Sequence, residues 1–156
     1  MKYVFDTSTF IVLKNFYPST FPSLWKGIDE LAGNGTILSV REVFKELHNF
    51  NDADFIQDWA RQHKAVYAIP TREELLVVQE LLAVPHFQVM ISNRAMLKGT
   101  PVADPFVVAA GKVKSATVVT QELYKPNAAK MPNVCKHFNV QCINLESFMA
   151  QQGWTF

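Results

Sequence analysis

Short apolar runs of strand type recur along this chain, at 3–5, 36–39, 65–69, 117–120 and 141–143, and each is followed by a stretch with helical spacing. An apolar run without polar alternation reads as a strand buried on both faces. Strands that alternate with helices assemble into a mostly parallel sheet with helices packed against it. The pattern therefore predicts an α/β domain with Rossmann-like layering.

The helices are bounded by recognisable signals. One runs from Ser23 to Ala32 and is closed by Gly33-Asn34-Gly35, and a second runs from Val40 to Phe50 with Val40, Val43, Phe44 and Leu47 on its apolar face. Asn51-Asp52 restarts a helix over Ala53 to Gln62. Thr71 and Glu74 form a capping box for Arg72 to Ala83, and a further helix covers Phe87 to Leu97. Asp104 as N-cap and Pro105 at the first helical position open another helix, and Pro132 to Phe138 and Leu145 to Gln151 complete the set.

Composition narrows the class. With 156 residues, 49% hydrophobic and 19% charged, the chain has the length for one domain and the apolar content for a sizeable core. No run of about 18 apolar residues crosses a membrane, and the opening MKYVFDTSTFIVL is too polar for a signal-peptide core. The two cysteines form no CxxC, so a reducing, cytoplasmic setting is expected. Cys135, His137 and Cys142 lack a fourth zinc ligand at a familiar spacing, and the four histidines belong to no nucleophilic triad motif. GxGxxG and GxxxxGK[ST] are both absent, which disfavours dinucleotide and P-loop nucleotide binding.

The chemistry rests with the acids. Asp6 ends the first strand, and in parallel α/β sheets that edge is where ligands sit. Asp104 opens a helix with an apolar first turn, Glu122 follows the strand ending at Thr120, and Glu46 lies among apolar neighbours in VFKEL. Singly, each has an ordinary reading. Asp104 serves as a helix cap, Glu122 as a loop charge, and Glu46 as a solvated helix residue like Glu42 one turn earlier.

Taken together, VFDTSTF with Asp6 and Ser8, VREVFKEL with Glu46, PVADPFVVAAG with Asp104, and VVTQE with Thr120 and Glu122 resemble the PIN-domain nucleases. The tail KMPNVCKHFNVQCINLESF is similar to a PIN-like subgroup catalogued as a domain of unknown function. One departure is Glu122, where PIN domains most often carry Asp. The resemblance implies a three-layer α/β/α sandwich around a mostly parallel sheet. It also implies Mg²⁺ or Mn²⁺ held by Asp6 and Asp104, with Glu46 and Glu122 completing the acidic cage or acting through water, and Ser8 and Thr120 orienting them. The implied activity is metal-dependent hydrolysis of RNA. Among PIN domains the small VapC-like toxins of prokaryotic toxin–antitoxin modules are the nearest in kind, commonly homodimers held inactive by an antitoxin.

An acidic site repels phosphate, so an RNA substrate needs cations nearby. Residues 92–138 hold seven basic residues against two acidic ones, a net of +5 within a chain whose net charge is +1. Arg94, Lys98, Lys112, Lys114 and Lys125 are the candidate contacts. Two alternatives stand beside the nuclease. One is a catalytically inactive PIN-like module that binds nucleic acid or protein. The other is a phosphatase with Asp6 as nucleophile, disfavoured because Ser8 occupies the position of its second acid.

Overall fold

The computed structural model describes residues 1–49, 54–88 and 102–156. Five strands, β1 (Tyr3–Phe5), β2 (Ile37–Val40), β3 (Tyr67–Ala68), β4 (Thr117–Val119) and β5 (Cys142–Ile143), form one sheet in the order β3-β2-β1-β4-β5. Every pairing is parallel, with Tyr3 in register with both Ile37 and Thr117. The helices that flank it are α1 (Thr7–Leu13), α2 (Pro22–Gly33), α3 (Arg41–His48), α4 (Phe55–Gln62), α5 (Arg72–Leu82), α6 (Asp104–Val113), α7 (Met131–His137) and α8 (Leu145–Gln151). Parallel strands with interposed helices and a flanked sheet make the α/β sandwich that the sequence predicts.

The strand order fixes where a site can form. After β1 the chain moves outward through β2 and β3, then returns to lay β4 and β5 on the other side of β1. Between β1 and β4 the connections diverge, and the crevice outside the carboxyl ends of those two strands is the binding position of such sheets. Asp6 follows β1, and Thr120 to Glu122 follow β4, so both segments border that crevice.

Packing holds the rim in place. Tyr3 and Phe5 share one face of β1 because side chains alternate along a strand, and both meet Phe148 of α8 edge-on, at ring distances of 4.9 and 5.0 Å. Phe5 also contacts Phe10 of α1, which in turn meets Trp59 and Tyr67. On α6, Gly111 allows a close approach to β4, since a Cβ there would stand 2.9 Å from Val118 Cγ2 and 3.0 Å from Val140 Cγ1.

Several boundaries differ from the sequence reading. Residues 7–13, where the hydroxyl-rich DTST runs into the apolar FIVL, form a helix to which the sequence reading assigned no element. The helix expected from Val40 starts at Arg41, because Val40 is still paired with Ala68. The strand expected over 65–69 shrinks to two residues preceded by a 3₁₀ turn at Lys64–Val66. Asp104 is the first helical residue and Ala103 the cap. Of the helix expected over Phe87 to Leu97, residues 85–88 are helical and those beyond 88 lie outside the described residues, as do Asn51 and Asp52.

Candidate active site

Asp6 is the N-cap of α1, in extended backbone at φ −88° and ψ 175°, and its carboxylate accepts from the Thr9 amide at 2.9 Å. The strand's last hydrogen bond, from the Asp6 amide to the Val119 carbonyl at 3.1 Å, ties the residue to β4. Its side chain is surrounded by hydroxyls. Ser8 Oγ lies 2.8 and 2.9 Å from the two carboxylate oxygens, Thr9 Oγ1 2.9 Å from Oδ1, and Thr120 Oγ1 donates to Oδ2. Asp6 is 2% exposed. Burial pushes its carboxyl above the ordinary value of 3.8, and the bonds from Thr120, Ser8 and Thr9 oppose that rise.

The segment after β4 is locked to the same group. Gln121 donates its amide to Ser8 Oγ at 3.0 Å, and Glu122 donates its amide to Thr120 Oγ1 at 3.1 Å. Ser8 and Thr120 therefore each accept from the loop while donating to Asp6.

Glu46, one side chain on α3, spans two other elements. Its Oε2 accepts from Thr7 Oγ1 at 2.5 Å and its Oε1 from the Ala103 amide at 3.1 Å. Thr7 follows Asp6 and Ala103 precedes Asp104, so this carboxylate joins the two chain segments that carry the aspartates. Asp104 is 7% exposed, in the first turn of α6 where the helix dipole favours a negative charge. The two aspartates also act on one common neighbour. The Cys135 thiol is pushed up by a hydrogen bond with the Cys142 thiol and by burial, and further by the negative charges of Asp6 and Asp104.

Glu122 is placed differently. Its Oε2 accepts from the Met131 amide at 2.7 Å, capping α7, whose N-cap residue Lys130 contributes no side-chain bond. Among the described residues, no three His, Cys, Asp or Glu side chains form a group ready to hold a metal ion. The donor set nonetheless suits a hard divalent cation, since Asp6, Asp104 and Glu46 offer carboxylate oxygen. Asp6, buried without a cationic side chain among its bonded partners, is the kind of carboxylate that such a cation compensates.

Glu42 corrects an expectation. It is 2% exposed rather than solvated, because α3 turns residues 42, 43, 46 and 47 toward one side. Arg41 pairs with its Oε1 at 3.0 Å, while its Oε2 has no hydrogen-bond partner among the described residues. Thr7 and Thr9, which the sequence reading passed over, proved as central to the rim as Ser8. The hydroxyl run DTST was the available signal.

The basic candidates divide. Lys114 pairs with the buried Glu74, and Lys112 donates to the Phe138 carbonyl at 3.2 Å. Lys125 is exposed in the loop after Glu122, and Arg94 and Lys98 lie outside the described residues.

Comparison with known proteins adds the following. No curated protein matches the chain significantly. Among solved structures, it is similar to a chain in the crystal structure of VapBC2 from Rickettsia felis bound to a DNA fragment from their promoter. The identity is 18%, the match covers 92% of this chain and 98% of that one, and the TM-score is 0.50. The likeness is one of fold. The family profile described as "Domain of unknown function (DUF4411)" matches residues 3–156, and the chain belongs to that family.

Proposed function

We propose that this chain is a divalent-metal-dependent endoribonuclease, the toxin of a prokaryotic toxin–antitoxin pair. The observation that carries the reading is that one carboxylate, Glu46, ties together the two chain segments that hold the aspartates. Asp6 is held in a ring of hydroxyls after β1, and Glu46 joins the neighbours of Asp6 and Asp104.

In this reading Asp6 and Asp104 hold Mg²⁺ or Mn²⁺, with Glu46 beside them. When bound, the cation supplies the charge that polarises a phosphodiester and acidifies water. The chain's own part is positional. Ser8, Thr9 and Thr120 fix the rotamer of Asp6, and Thr7 and the Ala103 amide fix Glu46. Glu122, with one oxygen on the Met131 amide, acts through water or through the loop it anchors. The partner in this reading is an antitoxin that covers the rim.

The test is cleavage of single-stranded RNA with Mn²⁺ or Mg²⁺, its loss in EDTA, and its loss in Asp104→Asn with the fold intact by circular dichroism. Cleavage that persists in EDTA or in that variant rejects the reading. The second reading, a PIN-like module without catalysis, is favoured by Glu122, one of the four expected acids, whose Oε2 is engaged by the Met131 amide. It predicts no cleavage under any metal, together with retained binding of a partner.

A further inference from the structure

The loop that leaves the rim after Glu122 is built as a rigid platform. Lys125-Pro126-Asn127-Ala128 is a tight turn closed by the Ala128 amide on the Lys125 carbonyl at 3.1 Å. Pro at its second position and Asn127 at φ +61° at its third are the residues that a type II turn selects. The Asn133 side chain of α7 fastens the same turn twice, donating to the Lys125 carbonyl at 2.7 Å and accepting from the Lys125 amide at 3.3 Å.

Above this platform lies an open hollow of about 480 Å³, lined by His86, Phe87, Tyr124, Asn133, Lys136 and His137 among others. Its size is that of a small-ligand site. Among the described residues, no acidic side chain lines it. The Tyr124 ring is 52% exposed, with the Lys136 ammonium 5.2 Å from its centroid, and Phe87 meets the His137 ring edge-on at 5.1 Å. Lys125 and Lys130, also exposed, add positive charge on either side of the turn.

An exposed aromatic face beside a cation and amides is the chemistry that receives a nucleotide, with the base stacking on the ring and the phosphate meeting the ammonium. A duplex keeps its bases stacked on each other, so an unpaired strand suits such a face better. Glu122, whose amide is bonded to Thr120 at the rim, lies two residues before Tyr124, so a short stretch of chain connects the rim to the hollow. We infer that this hollow is a subsite for a nucleotide of single-stranded RNA flanking the scissile bond, with its base on Tyr124 and its phosphate on Lys136. The choice of RNA rests on the ribonuclease reading above; the stacking platform itself does not.

The experiment is fluorescence anisotropy of a labelled single-stranded RNA titrated with the full chain in EDTA, so that binding is read without cleavage. Tyr124→Ala is expected to bind about 5- to 150-fold more weakly, the loss of one base–aromatic stack, while Tyr124→Phe binds as the parent does. Lys136→Ala should weaken binding and lower the salt slope by about 0.7. Duplex RNA should compete poorly. Unchanged affinity in Tyr124→Ala, with an unchanged melting temperature, overturns the subsite, as does a parent chain that binds no RNA. So does a Tyr124→Ala variant that loses only a protein partner.

Cleavage with Mn²⁺, run in parallel, separates the two claims. A chain that cleaves but ignores Tyr124 retains the ribonuclease reading and loses the subsite. Tyr124-dependent binding without cleavage does the reverse.

Discussion

Asp6 carries a charge that its surroundings oppose, and this has a measurable sign. Burial holds its carboxyl above the ordinary 3.8 despite the hydroxyls around it. The native state therefore binds more protons than the unfolded chain between 3.8 and the raised native value, and stability falls as pH rises through that interval. Asp6→Asn, which removes the charge and keeps the shape, should raise the melting temperature of the metal-free protein above that interval. Below 3.8, where both forms are neutral, it should change little. Thermal unfolding in EDTA across that range checks it, and a melting temperature that drops at neutral pH shows that the lost acceptor bonds outweigh burial. Thr120→Val removes one of the two hydroxyls on Asp6 Oδ2, leaving Ser8, and should cost about 1.5–3 kcal/mol, as for a bond to a charged group. Thr120→Ser should recover most of that in a denaturant titration.

The elements repeat this lesson in α7, whose amide end is closed by an acid that the sequence marked as a metal ligand. Glu122→Ala should cost about 1 kcal/mol, the value of a side-chain cap, whereas Glu122→Gln keeps an acceptor for the Met131 amide and should hold the melting temperature. If Glu122 also reaches the metal through water, Glu122→Gln lowers cleavage about 10- to 100-fold, against complete loss in Asp104→Asn. A comparison of the two glutamate variants in both assays thus separates cap from ligand. What was legible here was local. The capping box of Thr71 and Glu74 appears as read, because both partners lie within one turn. α1 was not legible, since Thr7, Thr9, Ile11 and Val12 are branched at Cβ and disfavour helix; burial of Phe10 and Leu13 against the sheet overrides them. The place of Asp6 was legible because an apolar strand that stops at a carboxylate is visible in the sequence. Of the rim hydroxyls, Ser8 and Thr120 came with the family resemblance, whereas Thr7 and Thr9 were passed over as part of an undifferentiated hydroxyl run.

Across the whole molecule, the position of a lysine in a basic run of sequence does not decide whether its charge faces solvent. The net of +5 over residues 92–138 includes Lys114, yet the fold turns that ammonium inward onto Glu74, whose own side chain is 2% exposed and whose Oε2 already serves the capping box. The pair joins the start of α5 to the end of α6, so it bears on how the helical layer sits against the sheet. Lys114→Met should leave Glu74 buried without its cation at a cost of about 3 kcal/mol, the low end for a broken buried pair because the lysine retains some exposure. In a chain this size that is a fall of about 6–12 °C in melting temperature. Replacing Glu74 with Gln in the same chain should restore part of it, since the uncompensated charge is then gone. RNA affinity should not change in Lys114→Met, in contrast to Lys136→Ala, whose ammonium stands over the exposed Tyr124 ring. A Lys114→Met variant that melts normally but binds RNA weakly would place that lysine on the phosphate-facing surface and break the pair from which this prediction is drawn.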